Sequence, residues 1–230
     1  MDVCVSIDPG QLQNRSAISV LIKEEARYKP DFDPEYVRET KYRVVALQLL
    51  PMMIPYNEQV DYVLNLCKQM QENYQVYNVK PGIVLEAGGV GLPVLDLLCE
   101  RMRSGPSYYV YPIRFTGGFY PSAGQKSIHN IPKAEVFQVL NVAMQNAEVE
   151  INDVSKYAPI LREEFRNFKI TYRESGMATM EAGRGHDDLL FSVGNGLYFL
   201  KKRILAYAVN PLPERSSYYT GSVKPPGWGS

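Results

Sequence analysis

The chain carries no surplus of charge: 25 Lys and Arg are balanced by 25 Asp and Glu over 230 residues. A global basic surface that would by itself advertise nucleic-acid binding is therefore absent, and any such surface has to arise by local clustering. Cysteine is scarce as well. Cys4, Cys67 and Cys99 are odd in number, far apart and set among apolar residues. That pattern excludes a disulfide framework and a paired-cysteine metal site, and implies buried thiols in a reducing compartment. No apolar run approaches the length of a membrane span. The opening MDVCVSIDPG has neither the basic start nor the apolar stretch of a secretory signal, so the expected location is the cytoplasm, with no membrane partner. Internal repeats are absent too.

What is present is a 45% hydrophobic sequence, enough for one sizeable core. VCVSID is a short β-branched run ending at Pro9-Gly10, and further strands are expected at SAISVLI and YRVVALQLL, the pattern of an antiparallel meander. The charged connector Glu24 to Thr40 reads as an exposed excursion. Val60, Val63, Leu64, Cys67 and Met70 recur at helical spacing, and from there strands and helices alternate: GIVLEA, LPVLDLLCERM, YYVYPI, KAEVFQVLNVAMQNA, VEIN, PILREEFRNF and KITYRE. A last helix is expected from near His186 to about Leu205. This order predicts an α/β fold, a mixed sheet of antiparallel meander followed by parallel strands, flanked by helices. Residues 1–208 form the expected domain. Residues 209–230, dense in Pro, Gly and Ser, read as a flexible tail.

Acidic residues stand at informative places. Asp8 ends the first strand, where alternation puts Cys4, Ser6 and Asp8 on one face and Val3, Val5 and Ile7 on the other. Glu86 ends GIVLEA just before two glycines. Asp187 and Asp188 open an apolar helix, in GHDDLLFSVGNGL. Each has a bland explanation, an Asx turn for Asp8 and helix capping for the Asp pair. Together they suggest more, since α/β sites gather at strand carboxyl ends. Several carboxylates in one place repel one another unless divalent cations hold them. Oxygen ligands suit Mg²⁺ or Mn²⁺, and two such ions about 4 Å apart are the arrangement of two-metal phosphodiester hydrolysis. The apolar positions Leu190, Val193, Leu197 and Leu200 predict the sheet-facing side of the last helix, aligned with Asp187, with Asp188 about 100° around.

SIDPG, VLEAGGVGLPVLDLL, PIRFTGG, PKAEVFQVL and GHDDLLFSVGNGL, in this order, resemble the nuclease domain of phage large terminase subunits, an RNase H-like fold. The resemblance runs from the first strand to the last helix. It implies a metal-dependent endonuclease that cuts concatemeric viral DNA at the start and end of genome packaging, with Asp8, Glu86, and Asp187 or Asp188 as metal ligands. Its implied partners are double-stranded DNA, a packaging ATPase motor, a small terminase subunit and a portal. IDPG also occurs in junction resolvases and other RNase H-like enzymes. Many family members read DATGVG where this chain reads EAGGVG, so Glu86 and Gly88 both depart from the commoner form. GHDD is the most specific of these motifs.

Other residues are assigned around that core. Lys133 opens a helix where the family often has a lysine, and is a candidate for contacting the scissile phosphate or neutralising carboxylate charge. His186 is a candidate for orienting the attacking water or touching phosphate, with a surface cap as the plain alternative. Arg114, Lys126 and Arg184, expected in loops along the same sheet edge, supply a local basic cluster for DNA. FTGGFYPSAGQKSIHNIP reads as a mobile loop over DNA, and His129 within it has no evident partner. A phosphate-cradling GxxxxGK[ST] loop is missing, so ATP is not an expected cofactor, and the chain is an excised nuclease domain or a subunit separate from its motor. Two alternatives stand beside this one: a RuvC-type junction resolvase, and a non-catalytic docking or nucleotide-binding module of the same superfamily. Trp228 and the tail tyrosines suggest a docking segment, against a plain linker.

Overall fold

The structure, a computed structural model, describes residues 1–10, 14–28, 37–117, 122–123, 128–151, 155–172, 178–182 and 186–202. The predicted tail, 209–230, lies outside the described residues, as do Lys126 and Arg184.

Strand β1 (Asp2–Asp8) lies within the sheet and is buried on both faces. Its alternation is the one expected: Cys4 joins a core with the later helices, while Val3, Val5 and Ile7 join a second core on the opposite face. Antiparallel β2 (Ala17–Tyr28) and β3 (Val37–Leu49) complete the meander. These two strands are longer than the sequence suggested. Pairing continues from Glu24↔Lys41 to Tyr28↔Val37, so the supposed excursion begins and ends as a β-ribbon, and only 29–36 fall outside the described residues. The ribbon's charges satisfy one another: Arg43 reaches Glu24 across the pair at 2.6 Å, and Lys23 pairs with Glu25 at 2.8 Å.

Helix α1 (Tyr56–Asn73) buries Val60, Val63, Cys67 and Met70 as its periodicity requires. Then come β4 (Gly82–Glu86), α2 (Gly91–Arg103), β5 (Tyr109–Thr116), β6 (Ser122–Ala123), β7 (His129–Pro132), α3 (Lys133–Gln145) and β8 (Val149–Ile151). Helix α4 (Ala158–Asn167), β9 (Phe168–Tyr172), β10 (Ala178–Ala182) and α5 (Asp188–Lys202) follow. The eight-stranded sheet runs β6-β7-β5-β4-β1-β2-β3-β8. Strands β4, β5 and β7 are parallel to β1, so their carboxyl ends meet at one edge. Helices α1 and α2 cover one face, and α3, α4 and α5 the other. Among the described residues no helix is long and apolar enough to cross a membrane.

Two further expectations are corrected. The segment 115–132, expected as a mobile loop, ends in β7, which pairs with β5 from Ile113↔His129 to Thr116↔Pro132. Lys169 to Tyr172 of KITYRE lie in the expected strand, but this strand, β9, pairs with β10 in a separate two-stranded sheet.

The packing face of α5 also differs from the apolar stripe. Small residues bring it closest to the middle of the sheet, with Phe191 and Phe199 packing on β5 to either side: Ser192 Oγ donates to the Ser6 carbonyl at 3.1 Å and lies 3.0 Å from Ser19 Oγ. A Cβ at Gly196 would stand 2.6 Å from Leu21 Cδ1 and 3.3 Å from Ser6 Cβ. Val193, expected to face the sheet, lines an apolar cleft with Leu140 and Met144 of α3 and Leu161 of α4. Because α5 is buried nearly all round, hydrophobicity carries no directional signal, and close approach of small residues decides the face. Asp188, four residues before Ser192, shares that face by helical periodicity.

Candidate active site

The last register pair of β1 with β4 is Ile7↔Leu85, and the next residue on each strand is an acid, Asp8 and Glu86. They leave the sheet on the side that α5 covers, following the alternation of Ser6 and Val84. Burial drives the Asp8 carboxyl well above the usual carboxylate range. The negative charges of Glu86 and Asp188 push it further, Lys133 pulls back, and Asp187 adds a smaller push. Acids from β1, β4 and the start of α5 therefore share one electrostatic neighbourhood.

Glu86 is also raised by burial, opposed by backbone N–H groups of Gly88 and Phe115 and by the charges of Arg114 and Lys133. The glycines after it have a steric basis. A Cβ at Gly88 would lie 2.6 Å from Glu86 Oε1, and one at Gly91 only 1.9 Å from the Glu86 carbonyl oxygen. Any side chain at 91 would collide with the end of β4, which fixes how closely α2 starts beneath Glu86.

Asp187 and Asp188 diverge. The Asp187 carbonyl accepts the first helical N–H, from Phe191, and its carboxylate takes a 2.6 Å ion pair from Lys133 Nζ. Asp188 Oδ2 lies 3.8 Å from Nδ1 of the exposed His186. Burial raises the Asp188 carboxyl, with His186 opposing, Asp187 reinforcing and Lys133 opposing. Lys133, the first residue of α3 at the carboxyl end of β7, also rests on aromatic rings. Its ammonium is 4.1 Å from the Phe191 centroid, 5.7 Å from that of Phe115 and 5.9 Å from that of Phe168.

Arg114 is a strand residue of β5 rather than a loop residue, and its charge acts on Glu86. His129 does have a partner: its ring stacks on Tyr111 at 4.3 Å and 13°. Sequence reasoning missed Glu164. This α4 residue, 7% exposed, accepts the Leu190 N–H at 2.7 Å through Oε2. Burial pushes its carboxyl up to about 8, against the Leu190 N–H, and the charges of Asp188 and Asp187 add to the rise. The available signal was an acid three residues after buried Leu161, on the apolar stripe of its helix. A second missed network is Gly10 N–H to Ser16 Oγ at 3.0 Å, and Ser16 Oγ to the fully buried Gln59 at 2.9 Å, which ties the turn after Asp8 to α1.

Among the described residues no three His, Cys, Asp or Glu side chains stand close enough to hold a metal ion as they are, so gathering an ion there takes side-chain movement. The donor chemistry fits a hard divalent cation nonetheless. Every acid at the site offers carboxylate oxygen, and burial together with the neighbouring carboxylates disfavours the charged form of Asp8, which a bound cation would favour.

No protein-family model and no curated protein matches the sequence. Solved structures do match in fold, which is α/β of the RNase H-like kind. More particularly, it is the fold of terminase large-subunit nuclease domains. The nuclease of the large terminase from thermophilic phage G20c, with bound cobalt, superposes with a TM-score of 0.53 at 19% identity, over 85% of this chain and 80% of that one. The human cytomegalovirus terminase nuclease domain gives 0.52 at 10% identity, over 86% and 82%. The large terminase nuclease domain of Thermus phage P74-26 gives 0.50 at 18%, over 86% and 79%.

Proposed function

We propose that this chain is a divalent-metal-dependent DNA endonuclease of the terminase type, hydrolysing phosphodiester bonds of concatemeric viral DNA during genome packaging. One observation carries the reading: Asp8 and Glu86 follow the last paired residues of adjacent parallel strands, and the charges of Glu86 and of Asp188, both distant in sequence, act on the buried Asp8 carboxyl. The fold shared with terminase nucleases, that of phage G20c solved once with cobalt and once with magnesium, supports it.

Asp8, Glu86 and Asp188 are the residues that would hold Mg²⁺ or Mn²⁺, with Asp187 engaged by Lys133. Two divalent ions, when bound, supply charge to activate water and to stabilise the leaving oxygen of the phosphodiester. The chain's own groups do the rest. Lys133, held on the Phe191 ring, offers positive charge beside the acids and a donor for a phosphate oxygen. His186, exposed next to Asp188, is placed to touch the phosphate or the attacking water. Arg114 offsets the charge of Glu86 and lines the edge that DNA must approach. A packaging motor, a small terminase subunit and a portal are the partners this role requires.

Supercoiled plasmid incubated with the protein and Mg²⁺ or Mn²⁺ tests the reading. Nicking or linearisation that disappears in Asp8→Ala is expected. Intact plasmid, or equal cutting by the variant, would end it, and preferential symmetric cutting of four-way junctions would move the chain to the resolvases.

A further inference from the structure

Position 164 is where the α4 repeat calls for an apolar side chain, and the sequence puts a glutamate there. The exception has a geometric reason. The first amides of any α-helix lack intrahelical acceptors, and a side chain of the helix's own first residues ordinarily supplies one. In α5 the acceptor comes from another helix: Glu164 Oε2 takes the Leu190 N–H at 2.7 Å, and the Leu189 N–H also favours its charge. Neither aspartate carboxylate is spent on capping. Asp187 turns to Lys133, and Asp188 lies on the side of Asp8 and Glu86.

We propose that Glu164 is a positioning residue of the acidic site: by capping α5 from α4, it leaves Asp187 and Asp188 free and fixes the direction in which Asp188 leaves the helix. The plain explanation of the Asp pair as helix caps is thereby displaced, because the cap is already filled. Burying a carboxylate beside two others is costly, and a protein that needed only a cap would meet that need more cheaply with Ser or Asn at the helix start. Glu164 touches neither DNA nor the reacting atoms. It acts through the first turn of α5, as outer-shell groups do that orient metal-binding side chains. This inference rests on the nuclease reading for its consequence, but the cap itself does not.

The test compares wild type with Glu164→Gln, which keeps an acceptor oxygen, Glu164→Ala, which removes it, and Glu164→Asp, which withdraws it by one methylene. Three quantities are measured: amide hydrogen exchange at Leu189 and Leu190, Mn²⁺ affinity by calorimetry, and plasmid-nicking kcat and KM. In Glu164→Ala, exchange at these amides accelerates at least about tenfold, and Mn²⁺ affinity and kcat each fall about 10- to 100-fold with KM for DNA unchanged. Glu164→Gln returns most of each loss. If Glu164→Ala does not fold, Glu164→Asp decides, with the same direction. Unaltered exchange overturns the cap, and accelerated exchange with unaltered Mn²⁺ affinity and kcat overturns the positioning role. Should wild type itself neither bind Mn²⁺ nor nick DNA, the nuclease reading fails and the positioning role with it, while exchange still decides the cap.

Discussion

The carboxylate of Glu86 occupies the space that a side chain at Gly88 would need, with Oε1 2.6 Å from where a Cβ would stand. The two departures from the DATGVG pattern are thus coupled: the longer acid fits because the residue two positions on has no side chain. The obstruction is the tip of a flexible side chain rather than backbone, so a Cβ at 88 would displace the carboxylate more readily than it would disturb the fold. Gly88→Ala is therefore expected to change Tm by less than about 2 °C while lowering nicking activity roughly tenfold or more. Glu86→Asp added to Gly88→Ala should recover part of that activity. A double variant whose loss is the product of the two single losses would show that the two positions are not coupled.

Lys133 brings positive charge to the acidic site, paired with Asp187 and seated on Phe191. Lys133→Met keeps much of the contact with the ring and removes the charge. Its expected cost is about 1–2 kcal/mol, between the values for exposed and buried ion pairs, because both partners are about one quarter exposed. Mn²⁺ binding to the uncompensated acids should narrow the Tm gap between variant and wild type, while nicking falls in the variant. A gap that Mn²⁺ leaves unchanged would argue against shared use of these acids by Lys133 and metal.

The legible parts of this protein were those set by local periodicity. Asp8 and Glu86 at strand ends, and the Asp pair at a helix start, follow from β-branched runs and a helical apolar run, and the sheet edge unites them as the βα alternation requires. The orientation of α5 was not legible from hydrophobicity, since a helix buried on all sides has no apolar face to read. Ser192 and Gly196, small residues four apart, held that information instead. The ends of β2 and β3 were hidden because charged residues form ladders there when ion pairs satisfy them. Strand β7 is short and takes its place from parallel pairing with β5, while β10 is short and pairs with the strand just before it, outside the main sheet. Glu164 could be recognised only as an anomaly, because its partner lies 26 residues away on another helix.

Close approach of α5 to the sheet at Gly196 carries its own prediction. In Gly196→Ala the new Cβ would stand 2.6 Å from Leu21 Cδ1, 3.3 Å from Ser6 Cβ and 3.6 Å from Cys4 Sγ, all fully buried residues. Overpacking of this kind costs about 1–3 kcal/mol, or roughly 3–10 °C in Tm at this chain length. Gly194→Ala, whose Cβ would meet Val136 Cγ1 at 2.9 Å and Leu140 Cδ2 at 3.8 Å on the α3 side, should cost less. Because α5 carries Asp188, Gly196→Ala should also reduce nicking below the melting range. Full activity there would mean that the sheet spacing of α5 does not set the position of Asp188.

The carboxyl of Glu164, raised to about 8, gives stability a definite dependence on pH. An unfolded glutamate titrates near 4.3, so below that pH both states are protonated and the contribution is fully present. Between about 4.3 and 8 the unfolded chain has released its proton while the folded one retains it, and stability falls as pH rises. Burial is the main cause of the rise, and the groups that face Glu164 from α5 modify it: the Leu190 and Leu189 amides favour its charge, and Asp188 and Asp187 disfavour it. Asp8, Glu86 and Asp188 are raised as well and slope the same way, so Glu164 supplies only part of the trend. Glu164→Gln has an acceptor but no proton to lose. Thermal unfolding from pH 5 to pH 8.5 should therefore show a shallower decline in Glu164→Gln than in wild type, with the variant gaining relative to wild type toward the alkaline end. Parallel curves would mean that the carboxyl at 164 titrates alike in the folded and unfolded chain.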